Sequence, residues 1–126
     1  MATRGIVLFA HGARDVRWRE PFDRLAGKLQ ALRAAAGEAG PVVVAFLELM
    51  EPGLVEAVRV LASGGCDAVT VVPVFFGQGG HVRKDLPALV EECRGLFPSV
   101  SVRCAGAVGE DDGVLDAVAM YCLRQG

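Results

Sequence analysis

The 126-residue chain has only two histidines, His11 and His81. Each stands beside glycine and shortly after an apolar run, in Phe9-Ala10-His11-Gly12-Ala13-Arg14-Asp15 and in Val74-Phe75-Phe76-Gly77-Gln78-Gly79-Gly80-His81. Another apolar run ends in Leu47-Glu48-Leu49-Met50-Glu51-Pro52 and brings two carboxylates to the same kind of position. Imidazole with carboxylate and no thiolate suits divalent first-row metals. Without thiolates the grip is less tenacious, which fits a site whose metal must later leave. Histidine also changes protonation near neutrality, so it can take up protons released by a substrate. Glu48 is the candidate ligand of the two acids. Glu51, directly before Pro52, is better placed as a helix N-terminal acid.

Charge placement adds to this. Five of the thirteen Lys and Arg residues follow the histidines closely: Arg14, Arg17 and Arg19 after His11, Arg83 and Lys84 after His81. Cations at helix starts oppose the macrodipole, so helix stability does not account for them. Arginine binds carboxylate or phosphate bidentately, and the cluster points to an anionic substrate over the histidines. Gly77, Gly79 and Gly80 indicate a flexible or close-approach loop. It is not a P-loop, because no Lys-Ser/Thr follows, and the first apolar run does not lead into G-x-G-x-x-G. The cysteines, Cys66, Cys93, Cys104 and Cys122, form no C-x-x-C pair and no zinc-ribbon spacing. They are expected as buried, reduced thiols of a cytoplasmic protein.

Elements that could hold these residues are legible in the pattern. Apolar runs at 5–10, 41–49, 68–75 and 100–105 are continuous rather than alternating, as in strands covered on both faces. Apolar residues at spacings of three and four mark helices over 17–38, 52–63, 85–97 and 112–123. Pro21 and Pro52 suit first helical turns, and Gly37, Gly40, Gly64 and Gly65 suit helix ends. The order β-α-β-α-β-α-β-α predicts an α/β fold with a four-stranded parallel sheet flanked by helices on both faces. Residues 1–126 read as one domain. A hydrophobic share of 52% with a net charge of −2 excludes disorder and argues against a basic nucleic-acid-binding surface. No apolar stretch approaches the ~20 residues of a membrane span. Ligands of such sheets bind beyond the carboxyl ends of the strands, where both histidines fall.

Taken together, His11-Gly12-Ala13-Arg14, Phe46-Leu47-Glu48 with Glu51-Pro52, and the stretch from Val72-Pro73-Val74-Phe75-Phe76 through Gly79, His81-Val82 and Asp85-Leu86-Pro87 resemble one family. The chain is similar over essentially its whole length to the short-form CbiX sirohydrochlorin chelatases of the class II chelatase superfamily. The stretch 73–87 is the most specific part. Ala13, where serine or threonine is common, and Phe76, where leucine is more usual, depart from the pattern. The resemblance implies a (βα)4 chelatase half that inserts a divalent metal into sirohydrochlorin. Cobalt, for cobalamin, is the first expectation, with nickel or iron as alternatives and no organic cofactor. It implies that His11 and His81 bind metal and accept pyrrole protons, with Glu48 as the carboxylate of the site. Arg14, Arg17, Phe76, Gly79, Gly80 and Arg83 would meet the macrocycle and its carboxylates, and Phe9, Phe75, Leu47, Leu49 and Met50 are further candidate walls.

Four β-α units make half of the two-lobed cleft of longer superfamily members, so a homodimer is expected to supply the rest. Two other readings stay open. A phosphohistidine enzyme would carry arginine before the first histidine, where Ala10 stands. A metal or tetrapyrrole carrier would use the same residues without turnover.

Overall fold

The computed structural model describes residues 3–77 and 79–126, apart from the side chain of His81. Strands β1 (Arg4–Ala10), β2 (Val42–Phe46), β3 (Ala68–Pro73) and β4 (Ser101–Cys104) form one sheet in the order β2-β1-β3-β4. All three pairings are parallel, and Phe9 lies opposite Pro73 while Ala10 lies opposite Phe46. The carboxyl ends of β1, β2 and β3 therefore share one rim, with β1 in the middle.

Side-chain alternation divides the sheet into two faces. Val7, Phe9, Ala45, Val69, Val71 and Val102 point to one face, against helices α2 (Leu54–Ser63) and α3 (Gly80–Leu96). Leu54, Ala57, Val58 and Leu61 of α2, and Val82, Leu86, Val90 and Cys93 of α3, complete this larger core at the three- and four-residue spacing of a helical stripe. Val7 and Phe9 have no exposed surface, and each such side chain contributes about 1.5–3 kcal/mol of hydrophobic free energy. Leu8, Ala10, Val44 and Phe46 face the other way, toward Phe22, Ala26 and Leu29 of α1 (Glu20–Ala35). The last helix, α4 (Asp112–Arg124), follows a 3-10 turn at Val108–Glu110.

Departures from the predicted boundaries have local causes. The segment at 17–38 divides into a 3-10 turn, Val16–Arg19, and α1, because the Asp15 carboxylate accepts from the Arg17 N–H to cap the turn and Pro21 begins the helix proper. Gly37 then ends it at φ 74, a conformation that favours glycine. Helix α3 starts at Gly80 rather than 85, and Pro87 lies inside it. Strand β2 stops at Phe46 rather than 49, where the chain enters a tight loop. Cys66 and Cys93 are buried as expected, and burial pushes their thiols above the ordinary value. Cys104 and Cys122 are exposed, contrary to the expectation of buried thiols. Among the described residues, no helix is long and apolar enough to cross a membrane.

Candidate metal-binding rim

The rim is assembled by backbone contacts between the first two strand ends. The Leu47 N–H donates to the Ala10 carbonyl at 2.9 Å, extending the β1–β2 ladder by one step. The loop then folds back: the Phe46 N–H donates to the Pro52 carbonyl at 2.9 Å and the Met50 N–H to the Glu48 carbonyl at 2.8 Å. Leu49 adopts φ 66, the left-handed region, to close this turn. Gly12 lies against it so closely that a Cβ there would sit 1.7 Å from the Glu48 carbonyl oxygen. Glycine is required at this contact because any side chain would occupy the space of the opposing backbone.

That approach brings the side chains of His11 and Glu48 together. Nδ1 of His11 stands 3.5 Å from Oε1 of Glu48, with the two side chains 46% and 43% exposed. Both are thus reachable by a ligand yet fixed by their surroundings. The His11 ring packs on Phe75 with centroids 4.7 Å apart, and its carbonyl accepts from the Trp18 indole N–H at 2.7 Å. The single tryptophan therefore pins the backbone that carries the imidazole.

An open, mostly apolar pocket of about 480 Å³ lies beside this pair, lined by His11, Trp18, Phe22, Val74, Phe75, Phe76, Gly77 and Val108. Phe76 is 68% exposed, so a large ring stands in water at the pocket mouth. Such a side chain offers a flat apolar surface to a ligand. Phe75 is a wall as the sequence suggested, although most of its surface is core. Phe9 is wholly in the core and takes no part in the pocket. Leu47, Leu49 and Met50 also stand apart from its lining. Trp18, Phe22, Val74 and Val108 were not singled out by sequence. Trp18 and Phe22, four residues apart, are indistinguishable there from an ordinary core stripe.

The basic residues separate into distinct roles. Arg17 is held by Asp15, with Nη2 2.7 Å from Oδ2 and a second contact through Nε. That pairing holds the Asp15 carboxyl below the usual range and raises the guanidinium. Arg19 binds Asp23 and the Glu51 carbonyl and lies over the Phe46 ring. It thereby ties α1 to the loop after β2. Arg14 is exposed and, among the described residues, makes no hydrogen bond or ion pair. Gly79 precedes α3 in extended conformation, and Gly80 opens it. Arg83 and Lys84 are exposed within the first turns. The structure does not carry the rest of the His81 expectation, because that side chain lies outside the described residues. Among those described, no group of three or more His, Cys, Asp or Glu side chains could hold a metal. The candidate donor set in view is the His11–Glu48 pair.

Comparisons with known proteins bear on the family and the fold. The CbiX family model matches residues 5–122. A sirohydrochlorin cobaltochelatase from Sulfurisphaera tokodaii is 30% identical over 112 residues, covering 89% of this chain and 85% of the relative. One from Methanopyrus kandleri is 35% identical over 85 residues, covering 68% and 57%. Among solved structures, a CbiX protein of Marinobacter aquaeolei, described as a putative cobalamin biosynthesis protein, superposes with a TM-score of 0.80 at 31% identity, over 97% of this chain and 96% of that one. The Bacillus subtilis sirohydrochlorin chelatase SirB, solved with cobalt, gives 0.73 at 22% identity, a likeness of fold. It matches 97% of this chain but 50% of its own.

Proposed function

The chain belongs to the CbiX family, and on that premise we propose that it is a sirohydrochlorin chelatase, a homodimer inserting a divalent metal, Co²⁺ first, into the macrocycle. The observation that carries this is the His11–Glu48 pair at the edge of an open apolar pocket. With metal–donor lengths of about 2.0–2.2 Å, two ligands of one tetrahedral ion sit about 3.4 Å apart. The 3.5 Å between Nδ1 and Oε1 fits that bite. It is long for a hydrogen bond, so little is lost when an ion enters between the two groups.

The chemistry follows from the exchange. Sirohydrochlorin must lose two pyrrole protons for each divalent ion it takes. As the metal passes to the ring, the His11 nitrogen that held it becomes free to accept a proton. Glu48 stabilises the resulting imidazolium. His81 is assigned to the second proton. Phe76, Trp18 and Phe75 present apolar surface to the flat macrocycle. Arg14 meets a peripheral carboxylate, with Gly79, Gly80 and Arg83 along the far edge. Nitrogen and oxygen donors also accept nickel and iron, so the donor set makes cobalt a matter of geometry and supply.

The test is an anaerobic assay with sirohydrochlorin and each of Co²⁺, Ni²⁺ and Fe²⁺ in turn, followed by visible absorption. Several metallated rings formed per protein, fastest with cobalt, is the expected result. One ring or fewer per protein identifies a carrier. Arg14→Ala is expected to raise KM for sirohydrochlorin about tenfold with kcat nearly unchanged, the loss of one charge-assisted contact. Arg17→Ala should leave KM within about twofold, because Asp15 already occupies its guanidinium. Equal effects of the two substitutions would refute this division of roles.

A further inference from the structure

We propose that the end of the sheet opposite His11 holds a second binding site, an oxyanion pocket built on Arg33 that takes the phosphate or carboxylate group of a small molecule. A cavity of about 390 Å³ opens there between the end of α1 and the starts of β1 and β3, and its lining includes Thr3, Arg4, Arg33, Glu38 and Ala68. Small-molecule sites run from about 300 to 1,000 Å³. Strand β1 rises about 20 Å from Arg4 to Ala10, so this cavity and the His11 rim are separate places on one strand.

Arg33 is the reason to expect a ligand. At 4% exposure it is the one buried charged side chain among the described residues. A guanidinium cannot shed its charge by deprotonation, so a buried one needs acceptors for its five N–H groups. Nη2 donates to the Arg4 carbonyl at 2.8 Å and to the Ala39 carbonyl at 3.4 Å. Nε and Nη1, which carry the other three, are buried and have no hydrogen-bond partner. The end of α1 does not call on them. The carbonyls of Leu32, Arg33 and Ala34 already accept from the N–H groups of Ala36, Gly37 and Glu38. Unmet donors on a buried charge are costly, and an oxyanion supplies what they lack.

The charges around the cavity fit such a guest. Arg4, also in the lining, is exposed, and among the described residues its side chain makes no hydrogen bond or ion pair. Of the acids, Asp67 is engaged by the Thr3 N–H at 2.9 Å. Glu38 approaches Arg33, with Oε1 3.5 Å from Nε. That contact is an ion pair without a hydrogen bond, on a carboxylate 59% exposed. Glu38 therefore stands beside the guanidinium as a loosely held substitute, which an incoming oxyanion displaces by rotation of the Glu38 side chain. The opposite side is fixed. Gly40, at φ 132, lies so close to β1 that a Cβ there would sit 2.0 Å from the Arg4 carbonyl oxygen and 3.2 Å from Nη2 of Arg33.

This site is independent of metal insertion, and its test uses the full chain without metal or macrocycle. Proton–nitrogen NMR spectra are recorded during titration with inorganic phosphate, pyrophosphate or succinate, against sodium chloride at matched ionic strength. Saturable shifts are expected at the amides of 3–4, 33–40 and 68, and none at 47–50 or 75–77 on the His11 rim. The probe that saturates at the lowest concentration tells phosphate from carboxylate. Arg33→Gln should weaken binding at least about tenfold and Arg4→Gln about threefold. Glu38→Gln should tighten it about threefold, because the competitor is gone. Glu38 and Arg4 are exposed, so these two variants carry the test even where Arg33→Gln fails to fold. A merely structural Arg33–Glu38 pair predicts the reverse for Glu38→Gln, a lower melting temperature with no gain in affinity. Shifts that never saturate, that chloride reproduces, or that centre on the rim overturn the site. So does a Glu38→Gln affinity no tighter than that of the wild type.

Discussion

His11→Ala should lower cobalt insertion into sirohydrochlorin by about 100-fold or more, the usual effect of removing a positioned proton acceptor. The imidazole is both a metal donor and a base in the scheme above, so the loss should appear in kcat with KM for the macrocycle nearly unchanged. Glu48→Gln should lose less, about 10- to 100-fold, because the imidazole persists while its anionic partner is neutralised. Both side chains are about half exposed and bury no core volume, so neither variant should unfold. The readouts are single-turnover absorption under anaerobic conditions and thermal melts. A His11→Ala enzyme with wild-type kcat would overturn the assignment, and so would one whose loss resides wholly in KM.

Why His11 and Glu48 could be paired from sequence, and the pocket could not, is a matter of range. Continuous apolar runs identify buried parallel strands, and their order places strand ends on one rim. His11 and Glu48 follow adjacent strands by one and two residues, so knowing the topology almost locates them. The pocket depends on where a helix leans. Trp18 turns its ring toward His11 because Asp15 and Pro21 split the predicted helix into a 3-10 turn and α1. Periodicity alone cannot place that split. The early start of α3 has a similar origin. Proline tolerates a first turn best, so Pro87 suggests a helix beginning near 85. The helix instead continues back to Gly80 and accommodates Pro87 in its interior. Nor does sequence say that Arg17 is spoken for: two residues separate it from Asp15, and only the capping geometry turns that neighbour into a bidentate partner.

Gly12→Ala should be as damaging to activity as His11→Ala although it removes no functional side chain. Its Cβ would sit 1.7 Å from the Glu48 carbonyl oxygen, and the obstacle is backbone, which cannot rotate aside. The loop 47–53 must therefore move. That movement strains the Leu47 to Ala10 hydrogen bond and the left-handed turn at Leu49. It also takes Glu48 away from His11 by a distance comparable to the overlap relieved. Displacements of about 1 Å can cost about 100-fold in rate when a site works by position. The expected stability loss is about 1–3 kcal/mol, the range of an overpacked contact. Gly106→Ala is the control, since a Cβ there meets nothing within 4 Å. It should stay within about 0.5 kcal/mol of wild type and keep full activity. The decisive comparison is metal binding without the macrocycle, followed by cobalt titration. If the pair shares one ion, Gly12→Ala weakens cobalt binding as strongly as Glu48→Gln does. If Gly12→Ala binds cobalt normally and inserts it at the wild-type rate, the close approach of the two loops does not set the site.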